Sequence, residues 1–117
     1  MADFDTNELN IEEGLEYSMN NREFYLSILD AYLEETDGEL KQMDEYVESG
    51  DMPSYATLVH AIKSSSRLIG AANLGEVAYD MELRAKEGNA DYIKSHHEAL
   101  KKHIQVVYDC IAAYKES

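Results

Sequence analysis

The sequence predicts an all-α fold: an antiparallel up-down four-helix bundle with a short extra helix at its N-terminus. Three observations predict it. Apolar residues recur at spacings of three and four through four long segments, and no segment alternates with the period of two that a half-buried strand shows. The segments are joined by short connections rich in Gly, Asn and Asp, which favour antiparallel neighbours. The 117 residues, 44% hydrophobic, suffice for one domain with a single core and no staples.

Met1 to Leu9 is polar and is expected to be frayed or loosely docked. Asn10 can cap a short helix from about Ile11 to Ser18, with Leu15 and Met19 as a brief apolar face. Gly14 weakens that helix, so it needs the rest of the fold. Asn20 and Asn21 read as a stop and a new N-cap. From Arg22 the residues Tyr25, Leu29, Tyr32, Thr36, Leu40, Met43 and Val47 form one stripe, widened by Phe24, Ile28 and Leu33. Gly38 costs about 1 kcal/mol within it. The stripe keeps its phase across Gly38, so the spacing predicts one helix to Ser49, the alternative being a break near Asp37-Gly38. Gly50-Asp51 ends it, and Pro53 suits the first turn of the next.

A helix from about Ser54 to Ile69 follows, stopped by Gly70. Asn73 reads as the next N-cap, with Leu74, Val77, Ala78, Met81 and Ala85 as the stripe and Gly88-Asn89 as the end. Asp91 starts the last helix, whose stripe is Ile93, His97, Leu100, Ile104, Val107, Ile111 and Tyr114, alternating four and three.

Charge and cysteine content narrow the function. A net charge of −14 disfavours nucleic acid and anionic membrane surfaces as partners, although Lys63, Arg67 and Arg84 can form a local basic patch. The single Cys110 makes no internal disulfide and suits a reducing compartment. No signal peptide and no apolar run of membrane-spanning length is visible, so a cytoplasmic location is expected. No G-x-x-x-x-G-K-[ST] or G-x-G-x-x-G motif is present, so the chain has no sign of an ATP site. It reads as a carrier and not an enzyme.

The helix over Ser54–Ile69 organises the rest. On a helical wheel with Ile62 at zero, Tyr55, Leu58, Ser66 and Ile69 fall within about 40°, and Val59 and Ser65 within about 60°. His60 and Ser64 lie about 160° away on either side, Arg67 about 140° and Lys63 about 100°. His60 therefore points to solvent from mid-helix, with a cation at i+3 and a small residue at i+4. An exposed neutral imidazole is a nucleophile. Lys63 can balance the charge of a phosphoryl group in transit, and Ser64 leaves the ring open to a partner. A lone surface histidine is by default a solvated side chain; the pattern around this one argues otherwise.

That pattern is His60-Ala61-Ile62-Lys63-Ser64, then Gly70-Ala71, Leu74, Met81-Glu82 and Gly88. It resembles the histidine-containing phosphotransfer (HPt) domain, which carries His-x-x-Lys-Gly, a Gly-Ala pair ten residues after the histidine, and a Leu…Leu-Glu helix ending in glycine. Upstream, Asn21-Arg22-Glu23-Phe24-Tyr25 resembles the start of the family's long second helix. The departures are Ser64 in place of glycine and Met81 in place of leucine. The resemblance implies that residues 1–117 form one HPt-like domain, free-standing or part of a larger hybrid sensor kinase. It implies a phosphorelay role: His60 takes a phosphoryl group from a receiver aspartate and passes it to another. The response-regulator receiver domain supplies Mg²⁺, and the chain needs no cofactor of its own. Receivers, and a hybrid histidine kinase, are the expected partners, with the chain a monomer. Arg67 and Arg84 are candidates for the docking rim. Glu82 matches the family's Leu-Glu position, where a structural and a positioning role both remain open. The rival reading is a helical-bundle interaction module that transfers no phosphate.

The other candidates read as structural. No carboxylate stands three residues before His60, His96, His97 or His103, so the Glu-x-x-His spacing of bundle metal sites is absent and no metal site is expected. His97 reads as a core-edge residue and His96 and His103 as surface ones. Cys110 has no C-x-x-C partner and reads as a small residue beside the core. Ser65 and Ser66 face inward on the wheel and read as packing. The nine tyrosines read as core and rim.

Overall fold

The computed structural model describes residues 8–117. Five helices follow one another: α1 (Ile11–Tyr17), α2 (Arg22–Ser49), α3 (Met52–Ile69), α4 (Ala72–Lys86) and α5 (Ala90–Glu116). Among the described residues there is no strand. The predicted caps Asn10 and Asn21 carry the starts of α1 and α2, each accepting a hydrogen bond from a backbone N–H three residues on; Asn89, expected to end the preceding helix, does the same for α5, which begins at Ala90 and not at Asp91. Asp51 does the same for α3, which begins two residues earlier than Ser54. α2 runs unbroken through Gly38, as the phase of its stripe predicts.

Helices α2 to α5 close a four-helix ring in which each packs antiparallel on its neighbours. Tyr32 on α2 meets Ser66 on α3, and Tyr92 on α5 meets Asp80 on α4. Lys115 at the end of α5 pairs with Asp30 near the start of α2. The longest extent, 41 Å, is the length of α2, since 28 residues at about 1.5 Å each span about 42 Å. The seven residues of the predicted α5 stripe are all buried, from Ile93 to Tyr114. Tyr25, Leu29, Val59, Ile62, Leu74 and Met81 meet them from the other helices.

α1 lies across the C-terminal end of α3. A Cβ on Gly14 would fall 2.5 Å from the Ile69 carbonyl oxygen and 2.5 Å from the Tyr25 ring. Gly14 is thus the contact that lets α1 dock, more than a weak point within it. Gly70 has φ 96° and lies under the Asn10 carbonyl, so it ends α3 and receives the N-terminal segment at once.

Several expectations are corrected. Residues 1–7 of the segment expected to fray lie outside the described residues, but Leu9 is fully buried and Glu8 pairs with His103. His103 is therefore not a simple surface residue. Met19 is exposed with φ 58°, in the turn after α1, so it adds nothing to that helix's apolar face. Phe24 is exposed, whereas Ile28 and Leu33 do pack against the core and widen the α2 stripe. Asn73 sits inside the first turn of α4; the N-cap is Ala71, because a two-residue corner leaves no room for a later start. Val77 is exposed, while Glu82, on the opposite flank of the α4 stripe, is buried. Ser65 is half-buried, Ser66 buried.

Candidate functional site

α3 and α4 run side by side in opposite directions, and their facing residues build the site rung by rung. At one end Arg67 lies across Gly75, where a Cβ would come within 2.8 Å of the Arg67 Cγ. Its guanidinium pairs with Glu76 at 3.4 Å and covers the Tyr79 ring. One turn back, Lys63 packs over the same ring and donates to Glu82 Oε1 at 2.8 Å. Next comes His60, whose side chain is 56% exposed and whose Nδ1 lies 2.8 Å from Glu82 Oε2. Lys86 reaches the same Oε2, also at 2.8 Å.

Glu82 is the hub. Its side chain is 2% exposed and holds three donors from two helices. Burial by itself would raise its pKa, but the hydrogen bonds from Lys63, Lys86 and His60 outweigh burial and hold the carboxyl at about 2. It is ionised at neutral pH and so can only accept hydrogen bonds. The proton of a neutral His60 must then sit on Nδ1, which places the lone pair on Nε2, across the ring from Glu82 and toward solvent.

Lys63 is not an open cation beside the ring. Its side chain is 13% exposed, held between Glu82 and Tyr79. Ser64 is exposed one turn after His60, as the wheel predicts. Arg84 is not brought to this face: it pairs with Asp80 and Glu87 and lies over the Tyr92 ring, sharing no partner with His60. Lys86 was missed by the sequence reading. The signal for it is an i,i+4 Glu-Lys pair whose glutamate stands inside the α4 stripe between Ala78, Met81 and Ala85.

The remaining histidines have other partners. His97 is buried: Tyr55 Oη lies 2.9 Å from Nδ1 and Asp44 Oδ1 2.7 Å from Nε2. This ties α2, α3 and α5 together. Burial would raise the Asp44 pKa, but hydrogen bonds from His97 and Lys101 bring it below the usual range. His96 stacks on Tyr92. Among the described residues no group of three or more His, Cys, Asp or Glu gathers as metal ligands do, and no helix is long and apolar enough to cross a membrane. Cys110 is buried in the core.

The site is thus an exposed mid-helix histidine backed by a buried carboxylate, on an antiparallel bundle. The Hpt domain model matches residues 27–109, and the chain belongs to that family. It is also similar to the "Phosphorelay intermediate protein rdeA" of Dictyostelium discoideum, 26% identical over 102 residues. That match covers 87% of this chain and 40% of the relative. No solved structure matches.

Proposed function

We infer that the chain is a phosphorelay intermediate in which His60 Nε2 carries the phosphoryl group between receiver aspartates. The observation that carries this is the pairing of His60 Nδ1 with an ionised, buried Glu82, which leaves Nε2 as the exposed nucleophile. Nε2 attacks the phosphorus of an aspartyl phosphate. The N–P bond forms as the P–O bond breaks, and the aspartate leaves as carboxylate with the electron pair. No proton has to move: Nδ1 keeps its hydrogen, and the positive charge that develops on the ring faces the Glu82 carboxylate. Reversal onto a second receiver completes the relay. Lys63 and Lys86 set the local charge, and Ser64 keeps the approach to Nε2 open.

The receivers supply the Mg²⁺, and the chain works as a monomeric carrier without nucleotide. The similarity to a phosphorelay intermediate supports this reading, and the chain spans 40% of that protein's length. Incubation with a phosphorylated receiver should put label on the chain, lost in mild acid and stable in alkali. His60→Gln should abolish the label and change stability by no more than about 1 kcal/mol, as expected for a largely exposed side chain. Acid-stable label, or label retained in the variant, would exclude His60 as carrier. Tight receiver binding without label would favour the interaction module.

A further inference from the structure

Beside His60, between the N-terminal half of α3 and the C-terminal end of α4, lies a cleft of about 460 Å³. Pro53, Ala56 and Ala85 form its apolar surface, Thr57 and Lys86 its sides, and His60 one edge. Most of its polar groups are already engaged. The Glu82 oxygens hold His60, Lys63 and Lys86. The Thr57 hydroxyl donates to the Pro53 carbonyl at 3.2 Å. What the cleft offers a newcomer is apolar surface and one ammonium, that of Lys86, whose side chain is 62% exposed and has donors beyond the one given to Glu82.

We propose that this cleft is the anchor pocket of the docking face, taking one large apolar side chain of a receiver domain, with a carboxylate of the same receiver element paired to Lys86. The proposal rests on the phosphorelay reading and adds where and by what chemistry the partner is held. A receiver that transfers to Nε2 must bring its reacting atom within about 3–3.5 Å. An ordinary interface covers about 800 Å² per partner, a disc roughly 16 Å in radius. Ala56 and Thr57 lie one turn of α3 from His60 and Pro53 two turns, at most about 11 Å along the axis. The cleft therefore lies within the footprint of an ordinary-sized partner centred on the histidine. Covered and empty, its lining would lose contacts on one side; filled, it is the central, desolvated pocket in which interface anchors sit. With His60 neutral, Lys63, Lys86 and Glu82 sum to one positive charge, so an acidic neighbour to the anchor is favoured.

The test uses the wild-type chain labelled with ¹³C at its alanine methyls, titrated with a receiver domain that exchanges phosphate with His60. The Ala56 and Ala85 methyl signals should shift and show intermolecular NOEs to methyl or aromatic protons of the receiver. Ala56→Leu, which fills the cleft from within, should raise Kd at least tenfold. Lys86→Ala should raise it several-fold, with a weaker salt dependence. Labelling of Ala56→Leu at His60 by phosphoramidate, a small donor that needs no docking, checks that the fold and the acceptor persist. Unshifted methyls in the saturated complex, or wild-type affinity of a phosphoramidate-competent Ala56→Leu, would overturn the proposal. So would methyl shifts produced by octanoate alone and not by the receiver, which would make the cleft a small-molecule site. Failure of both the receiver and phosphoramidate to label His60 would instead remove the phosphorelay reading, and the receiver as occupant with it.

Discussion

Glu82→Gln is the most informative single change, because it keeps the shape of the hub and removes its charge. The Glu82 carboxyl is held at about 2 against an ordinary value of 4.5, and the side chain is 2% exposed. The native state therefore binds this proton more weakly than the unfolded chain does. The resulting stabilisation is on the order of 3 kcal/mol, fully present above pH about 4.5 and lost as pH falls toward 2. In the glutamine variant that contribution is gone at every pH. Urea titration at pH 7 should show a loss of about 2–3 kcal/mol, and the gap between variant and wild type should close toward pH 2–3. The amide oxygen can still accept from Nδ1, so the tautomer survives, but the charge opposite the developing imidazolium does not. Single-turnover transfer from a phosphorylated receiver should slow by about 10–100-fold. Equal stability at pH 7, or a gap that persists at pH 2, would show that the carboxylate is not held by its three donors. An unchanged transfer rate would separate the Nδ1 contact from the chemistry.

Lys63→Ala should slow transfer more than it weakens receiver binding, read by rapid-quench kinetics beside a binding titration; it should also destabilise by about 1–2 kcal/mol, because Glu82 loses one of its donors. Ser64→Gly should be slightly destabilising and transfer at least as fast, whereas Ser64→Gln should keep the melting temperature and slow transfer strongly, because a longer side chain overhangs the approach to Nε2; wild-type transfer by the glutamine variant would remove any role for a small residue there. Tyr55→Phe should lower stability by about 1–3 kcal/mol by leaving the buried His97 Nδ1 unpaired, with phosphoryl transfer unchanged; a matching loss of transfer would mean that the tie between α2, α3 and α5 also sets the site.

The helices were legible because their signals are local. A capping asparagine, a left-handed glycine and a three-four stripe each act within a turn or two, and α2 and α5 lie where those signals put them. His60 was legible for the same reason, since one wheel fixes which way a mid-helix residue points. Glu82 was not. A period assigns the charged residue to the outside and Val77 to the inside, and the reverse becomes favourable only when donors at positions 60, 63 and 86 converge on one carboxylate. Which ring nitrogen is free depends on that convergence and was equally out of reach. The surroundings of Arg84 were out of reach too, because charge type does not reveal a side chain's orientation: it pairs with Asp80 and Glu87 and lies over the Tyr92 ring of α5. Leu9 reads as part of a polar tail, yet the Gly70 carbonyl takes the Asn10 N–H and draws Leu9 into the core.

The corner between α3 and α4 has a consequence for how the carrier works. Two residues, Gly70 and Ala71, join the helices, and Ala71 is itself fully buried. His60 stands eight residues from one end of α3 and nine from the other, beyond the reach of terminal fraying. With no slack in the corner and a hydrogen bond behind the ring, the imidazole is fixed when the chain folds, not when a partner arrives. The ordering entropy of the acceptor is then settled once, at folding, and each passage of a phosphoryl group begins from the same ring position. A carrier that must serve a donor and an acceptor in turn gains from this. Neither partner has to rebuild the helix that presents the nucleophile.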